Sequence, residues 1–269
     1  MTSLTKPNAL VPGSTIAIVA PAGPVLGEQA QEGLRAGIAA LERAGFPTTH
    51  RQDLFAQEGF LAGDDARRAA EIMEYVATPE VGAIFCARGG YGSARILSLL
   101  DAEKIRAAAK PLVGFSDITA MLLWQQNCAG LVGIHGPMLV DATDAQIEET
   151  LRLLSGELEL PHVLQGSAGS DGVAEGPLIG GTLSVVAASL GTPWEIDTQG
   201  AILCIEEVNE QPYKLDRYLQ QLKAAGKFQD LAGVALGQFI DCCDSRYPAP
   251  AAEEVLRDVF AEFDIPLVS

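Results

Sequence analysis

The stretch "KPLVGFSD", residues 110–117, reads as a buried strand that stops at a serine and an aspartate, and "ITAMLLWQQN" behind it reads as a helix. A serine at a tight strand-to-helix turn stands above the sheet edge with the next N–H free, which is the logic of a nucleophile elbow. A helix start favours developing negative charge, and the N–H of Asp117 would be placed to bind an oxyanion. The second glycine of G-x-S-x-G is missing, however. On these residues alone Ser116 is more simply a helix cap or part of an Asx-type turn.

A second stretch, "ARGGYGSAR" at 87–95, follows the apolar run "VGAIFC". Gly89, Gly90 and Gly92 let the backbone approach a ligand closely, and the helix behind them offers free N–H groups. One reading is a phosphate cradle, but the loop matches neither G-x-x-x-x-G-K-[ST] nor G-x-G-x-x-G, so that reading comes last. It can instead supply a second oxyanion donor beside Ser116, or be a tight turn with Arg88 merely solvated. In the third stretch, "ILCIEEVNEQPYKLDRYLQQL", Glu206 and Glu207 end an apolar strand. Alternation sends their side chains to opposite sides, so one can face a cleft while the other faces solvent. Lys214, Asp216 and Arg217 fall on a helix, where a solvated face is the simplest reading. His50, His135 and His162 have no metal-ligand spacing, and no metal is expected. His50 and His162 read as exposed. His135, in "GIHGPM", ends a strand at the functional edge, where it either contacts substrate or is a satisfied core histidine.

The elements that must position these residues alternate regularly in the first half. "STIAIVAPAG" is a strand ending in a turn, and "EQAQEGLRAGIAALERAG" a helix closed by Gly45, with Leu34, Ile38 and Leu41 on one face. "DDARRAAEIMEYVATP" is a second helix, with Asp64 or Asp65 at its start. Alternation of this kind implies a parallel sheet with helices on both faces and a ligand at the carboxyl ends of the strands. Residues 161–176 lose the apolar period and read as a linker between a domain at 1–160 and a smaller one at 177–269, whose strands and short helices lack the regular alternation. The expected fold class is α/β: a parallel-sheet, nucleophile-elbow domain followed by a smaller α/β domain.

With 269 residues, the chain has room for two domains, and its formal net charge is -17. That charge argues against nucleic acid as a partner, because neutralising phosphates needs a basic face. The N-terminal apolar stretch is shorter than a signal peptide's core of roughly 7–15 residues. No run approaches the ~20 apolar residues that span a bilayer. Five cysteines without CxxC spacing fit reduced thiols, so no membrane partner and a cytoplasmic location are expected.

Taken together, "IAIVAPAGP", "ARGGYGSARIL", "GFSD", "HGPM", "GGTLSVVAASLGTPW", "IEEVNEQPYKLDRYL" and "GVALGQF" resemble, in order and over nearly the whole chain, the LD-carboxypeptidase family of serine peptidases. That family includes muramoyl-tetrapeptide carboxypeptidases and microcin-C immunity peptidases. The resemblance implies a two-domain hydrolase, usually homodimeric, with its active site between the domains and a Ser–Glu–His triad that needs no cofactor. It matches the nucleophile to Ser116, the glutamate to Glu206, and the oxyanion donors to Asp117 N–H and the loop at Gly89 or Gly90. Arg88, Tyr91, His135 and Trp194 become candidate substrate contacts. The implied substrate is a small murein peptide, cut before its terminal D-alanine during cell-wall recycling in the cytoplasm. An aminoacyl-nucleotide or other amide is the alternative for the same triad.

One part departs from the family pattern. Its catalytic histidine lies after the last strand, in a segment of the form G-x-P-x-G-H, whereas the corresponding strand here is "IPLVS" and Ser269 is the last residue. None of the three histidines fills that position. Two expectations follow: the 269 residues are a shortened piece of an active enzyme, or they are a short homologue that binds peptides without cutting them. A serine without an imidazole would retain only the catalysis of its oxyanion hole and binding, on the order of 10³–10⁴ over water in template enzymes.

Overall fold

A computed structural model describes residues 4–158, 163–164, 166–170, 172–246 and 250–269. The chain forms two compact units, residues 1–160 and 161–269. In the first, strands β1 (Thr15–Val19), β2 (Thr48–His50), β3 (Val81–Cys86), β4 (Leu112–Gly114) and β5 (Ile134–His135) alternate with helices α1 (Gly27–Arg43), α2 (Asp65–Ala77), α3 (Ser93–Ile96), α4 (Ala102–Ala108), α5 (Thr119–Trp124) and α6 (Asp144–Leu154). The sheet is parallel throughout, in the order β2-β1-β3-β4-β5. Its strands are short apolar runs because helices cover both faces; Ile16 to Val19 of β1 are all buried.

Helix α1 turns Leu34, Gly37, Ala40 and Leu41 inward at three- and four-residue spacing, and Gly45, at φ 91°, ends the turn behind it. A fully buried leucine such as Leu34 contributes about 1.5–3 kcal/mol by leaving water. Helix α2 starts where the Asp64 carboxylate accepts the N–H of Arg67 at 2.6 Å. The chain places β2 on one side of β1 and then returns to place β3 on the other. The loops leaving β1 and β3 therefore diverge at a switch in strand order, where open α/β sheets form their ligand crevice.

The second unit contains β6 (Ala168–Ser170), β7 (Leu178–Thr182), β8 (Ile202–Val208), β9 (Gly233–Ile240) and β10 (Leu267–Val268), with helices α7 (Leu183–Ala188), α8 (Pro212–Ala224) and α9 (Ala252–Phe260). The sheet order is β6-β10-β9-β8-β7, parallel except for β6, which pairs antiparallel with β10. Two expectations are corrected here. From β7 to β10 the alternation of strand and helix is regular. The apolar run of β7 is broken by Gly180, at φ 143°, where a Cβ would lie 1.8 Å from the Cys204 carbonyl oxygen. In addition, Ala168–Ser170, read as linker, form an edge strand held by main-chain pairing to β10, not by apolar periodicity. His162 lies outside the described residues. No helix among the described residues is long and apolar enough to cross a membrane.

Candidate functional site

Strand β4 ends at Gly114. Phe115 is extended (φ -144°), Ser116 adopts left-handed backbone (φ 60°), and Ser116–Ile118 form a 3₁₀ turn that runs into α5. The cap position belongs to Phe115, and no side chain caps the turn, so the reading of Ser116 as a helix cap is overturned. Reversing the chain in one residue between strand and helix demands positive φ, and for a residue with a Cβ this costs of order 1–3 kcal/mol.

The glycine loop after β3 packs on this serine. A Cβ at Gly89 would lie 3.0 Å from Ser116 Cβ and 3.1 Å from both Ser116 Oγ and Met138 Sδ. Only a glycine leaves that space open. From the loop after β1, the N–H of Gly23 donates to the Gly89 carbonyl at 2.9 Å. In a trans peptide the N–H points opposite to the carbonyl, so the Gly90 N–H is turned away from the β1 loop. Because β3 lies between β1 and β4, that direction is the β4 side, where Ser116 stands.

Asp117 ties the two loops together. Its Oδ2 accepts the N–H of Ser93 at 2.8 Å, and the buried Ser93 hydroxyl donates to the Asp117 carbonyl at 2.6 Å. The N–H of Asp117, in the first turn, lacks an acceptor within its own helix. Arg88 is half-buried, and its Nη1 donates to the Pro24 carbonyl at 3.0 Å, so it is a loop tie and not a solvated side chain. Tyr91 is exposed and stands edge-on to Phe60, with ring centroids 5.4 Å apart. Phe60 escaped the sequence reading, since "EGFLAG" carries no signal beyond a lone aromatic in a loop.

His135 lies opposite Gly114 in the β4–β5 register, with its ring 5.8 Å from that of Phe115. The residue keeps surface access, but desolvation around the imidazole lowers its pKa below the ordinary value. Behind the β1 loop, buried Glu71 accepts the N–H of Ala20 at 2.9 Å and pairs with Arg67 at 2.9 Å. Desolvation raises the Glu71 pKa against the pull of Arg67.

In the second unit, Glu206 on β8 is half-buried and accepts the Thr182 hydroxyl at 2.5 Å. Desolvation raises its pKa, the Thr182 bond opposes this, and the charge of Glu207 adds to the rise. Glu207 does not face solvent. It is buried, with Oε2 accepting the Ser184 N–H at 2.8 Å and Oε1 the Val208 N–H at 3.0 Å, so its carboxylate satisfies the first turn of α7. Trp194 is half-buried in the loop after α7, where its backbone N–H donates to Thr192 Oγ1 at 3.3 Å. Lys214 lies partly exposed on α8 and pairs with Glu210 one turn before it at 3.3 Å. Among the described residues no group of three or more His, Cys, Asp or Glu side chains is arranged to hold a metal.

These features define a two-unit α/β protein with a strained serine turn and a glycine loop together at the carboxyl edge of a parallel sheet. Residues 16–136 match the LD-carboxypeptidase N-terminal domain and residues 175–269 the LD-carboxypeptidase C-terminal domain; the chain belongs to the LD-carboxypeptidase family. It is 38% identical over 264 residues to a probable murein peptide carboxypeptidase of Bacillus subtilis, covering 94% of this chain and 81% of that protein. To the murein tetrapeptide carboxypeptidase of Pseudomonas aeruginosa it is 32% identical over 268 residues, covering 94% and 85%. A crystal structure of muramoyltetrapeptide carboxypeptidase from Oxalobacter formigenes superposes with a TM-score of 0.82 at 28% identity, covering 95% of this chain and 87% of that one.

Proposed function

We propose that the protein is a serine LD-carboxypeptidase that hydrolyses the bond before the terminal D-alanine of murein tetrapeptides. The observation that carries this reading is Ser116, held at φ 60° at the carboxyl end of β4 with Gly89 against its hydroxyl. The names of the relatives at 38% and 32% identity support the substrate class. In this reading Ser116 Oγ attacks the carbonyl carbon and the oxyanion settles on the N–H groups of Asp117 and Gly90. An imidazole oriented by Glu206 takes the serine proton and returns it to the departing D-alanine amine. Water then cleaves the acyl-enzyme by the same path. In the family pattern that imidazole belongs to a G-x-P-x-G-H segment; the test uses the full-length gene product. The reading also includes a homodimer working in the cytoplasm.

The test is release of D-alanine from tetrapeptide, with Ser116→Ala as control. Wild type is expected to turn over and the variant to fall by at least about 10³-fold. A full-length wild type that releases no D-alanine, and no more than Ser116→Ala, overturns the reading. If that silent protein still binds tetrapeptide, it is a peptide-binding module.

A further inference from the structure

We propose that Arg68 is a positioning residue for the oxyanion loop, acting through main-chain carbonyls from behind the site; this rests on the carboxypeptidase reading above. Arg68 lies on α2, in a segment whose apolar periodicity marks only an amphipathic helix, yet its side chain is fully buried. One nitrogen, Nη1, donates to the carbonyl of Pro21 at 2.5 Å and to that of Gly92 at 2.8 Å. Pro21 belongs to the loop after β1 and Gly92 to the glycine loop after β3, so one charged group bridges the two sides of the crevice. The other nitrogen, Nη2, is anchored by Asp65, which also pairs with Arg95 of α3 at 2.8 Å.

A buried guanidinium is costly to desolvate, and an apolar side chain would fill the same volume without that cost. What the guanidinium adds is direction. It draws both carbonyls toward α2, and the Gly92 peptide is followed at once by Ser93, whose N–H and hydroxyl both bind Asp117. At the other end of the loop, Gly23 N–H holds the Gly89 carbonyl. The Gly90 N–H is thus fixed between two clamps, one on Gly89 and one on Gly92. Gly92 itself, at φ 118°, has no room for a side chain: a Cβ would lie 3.1 Å from Arg68 Nη1 and 2.4 Å from Leu61 Cδ2. Hydrogen-bond donors aimed in advance at the developing charge stabilise the transition state more than the ground state. Loosening the clamp should therefore lower kcat and leave substrate affinity nearly alone.

The experiment compares Arg68→Met and Arg68→Lys in the full-length protein. Met keeps an unbranched apolar stem but ends about where Nε lies and has no donor, and Asp65 keeps Arg95 as its partner. A lysine keeps the charge and, with a shift of about one bond length to make up its shorter stem, can donate to both carbonyls from one nitrogen as Nη1 does in the native protein. For Arg68→Met we expect kcat to fall by about 10–10²-fold, less than the 10²–10³ lost with an oxyanion donor itself, with KM within about threefold. Arg68→Lys should recover most of kcat. Hydrogen exchange read by mass spectrometry should quicken at residues 89–93 in Arg68→Met and stay unchanged in β1. Unchanged kcat together with unchanged exchange at 89–93 overturns the proposal, as does a fall in kcat that Lys does not recover or that KM fully shares. If Arg68→Met does not fold, Asp65→Ala loosens the same guanidinium from the surface end, and unaltered exchange at 89–93 there overturns it equally. A wild type without turnover ends the carboxypeptidase reading, while the exchange arm still decides the role of Arg68.

Discussion

Replacing Ser116 with glycine should make the protein more stable than replacing it with alanine. Both changes remove the hydroxyl, so the comparison isolates the Cβ on a residue held at φ 60°. Left-handed backbone costs a residue with a Cβ about 1–3 kcal/mol, and glycine is free of that cost. Glycine in turn gives the unfolded chain more freedom, which offsets about 0.4–1 kcal/mol. The difference, about 1 kcal/mol in favour of Ser116→Gly, corresponds to roughly 2–4 °C in Tm for a chain of this size class. Urea unfolding of both variants at one protein concentration, followed by circular dichroism, measures it directly. Equal stability, or a more stable Ser116→Ala, would refute the argument that the turn stores strain. Both variants should be silent toward tetrapeptide, so any gain in stability would come with loss of function.

Gly89→Ala should lower tetrapeptide turnover by about 10²-fold for a destabilisation of about 1–3 kcal/mol, because the new methyl lands 3.0–3.1 Å from Ser116 and Met138. Asp117→Ala removes the acceptor of the Ser93 N–H and should cost about 1–2 kcal/mol in denaturant unfolding, with faster amide exchange at the start of α3. Glu206, whose pKa is raised in the fold, binds its proton more tightly folded than unfolded. Its contribution to stability is therefore lost as pH rises from the ordinary carboxylate range through its folded value, and Glu206→Gln should flatten that segment of the stability–pH curve. A profile identical in wild type and variant would contradict the raised pKa. His135 has the opposite sense: its lowered pKa means stability falls as pH drops below about 6.5, and an imidazole titration by NMR should place its midpoint under that value.

The parallel sheet of the first unit was readable because helices on both faces make each strand a short apolar run, set off by caps such as Asp64 and breakers such as Gly45. The regular alternation of the second unit was harder to read, since β7 carries two glycines where its backbone approaches β8, and an edge strand such as β6 is held by main-chain pairing that leaves no side-chain period. Glu207 and Arg68 were misread or passed over for a related reason. A charged residue on a surface-type pattern looks solvated until the fold closes carbonyls or amides around it.

The sequence by itself determined the identity and order of the chemical groups: a serine and an aspartate after an apolar strand, a glycine loop after another, and a pair of glutamates after a third. Those are matters of residue type and local spacing, which one-dimensional patterns carry. The tertiary structure decided what no spacing can express. Only strand order places Gly23, Gly89 and Ser116 side by side, because they come from three loops far apart in the chain. Only the packed turn turns Ser116 from a cap into a strained residue, since φ is set by where the chain must go next. Likewise, the direction of the Gly90 N–H follows from a hydrogen bond to its neighbour's carbonyl, a contact that exists only once β1 and β3 lie together.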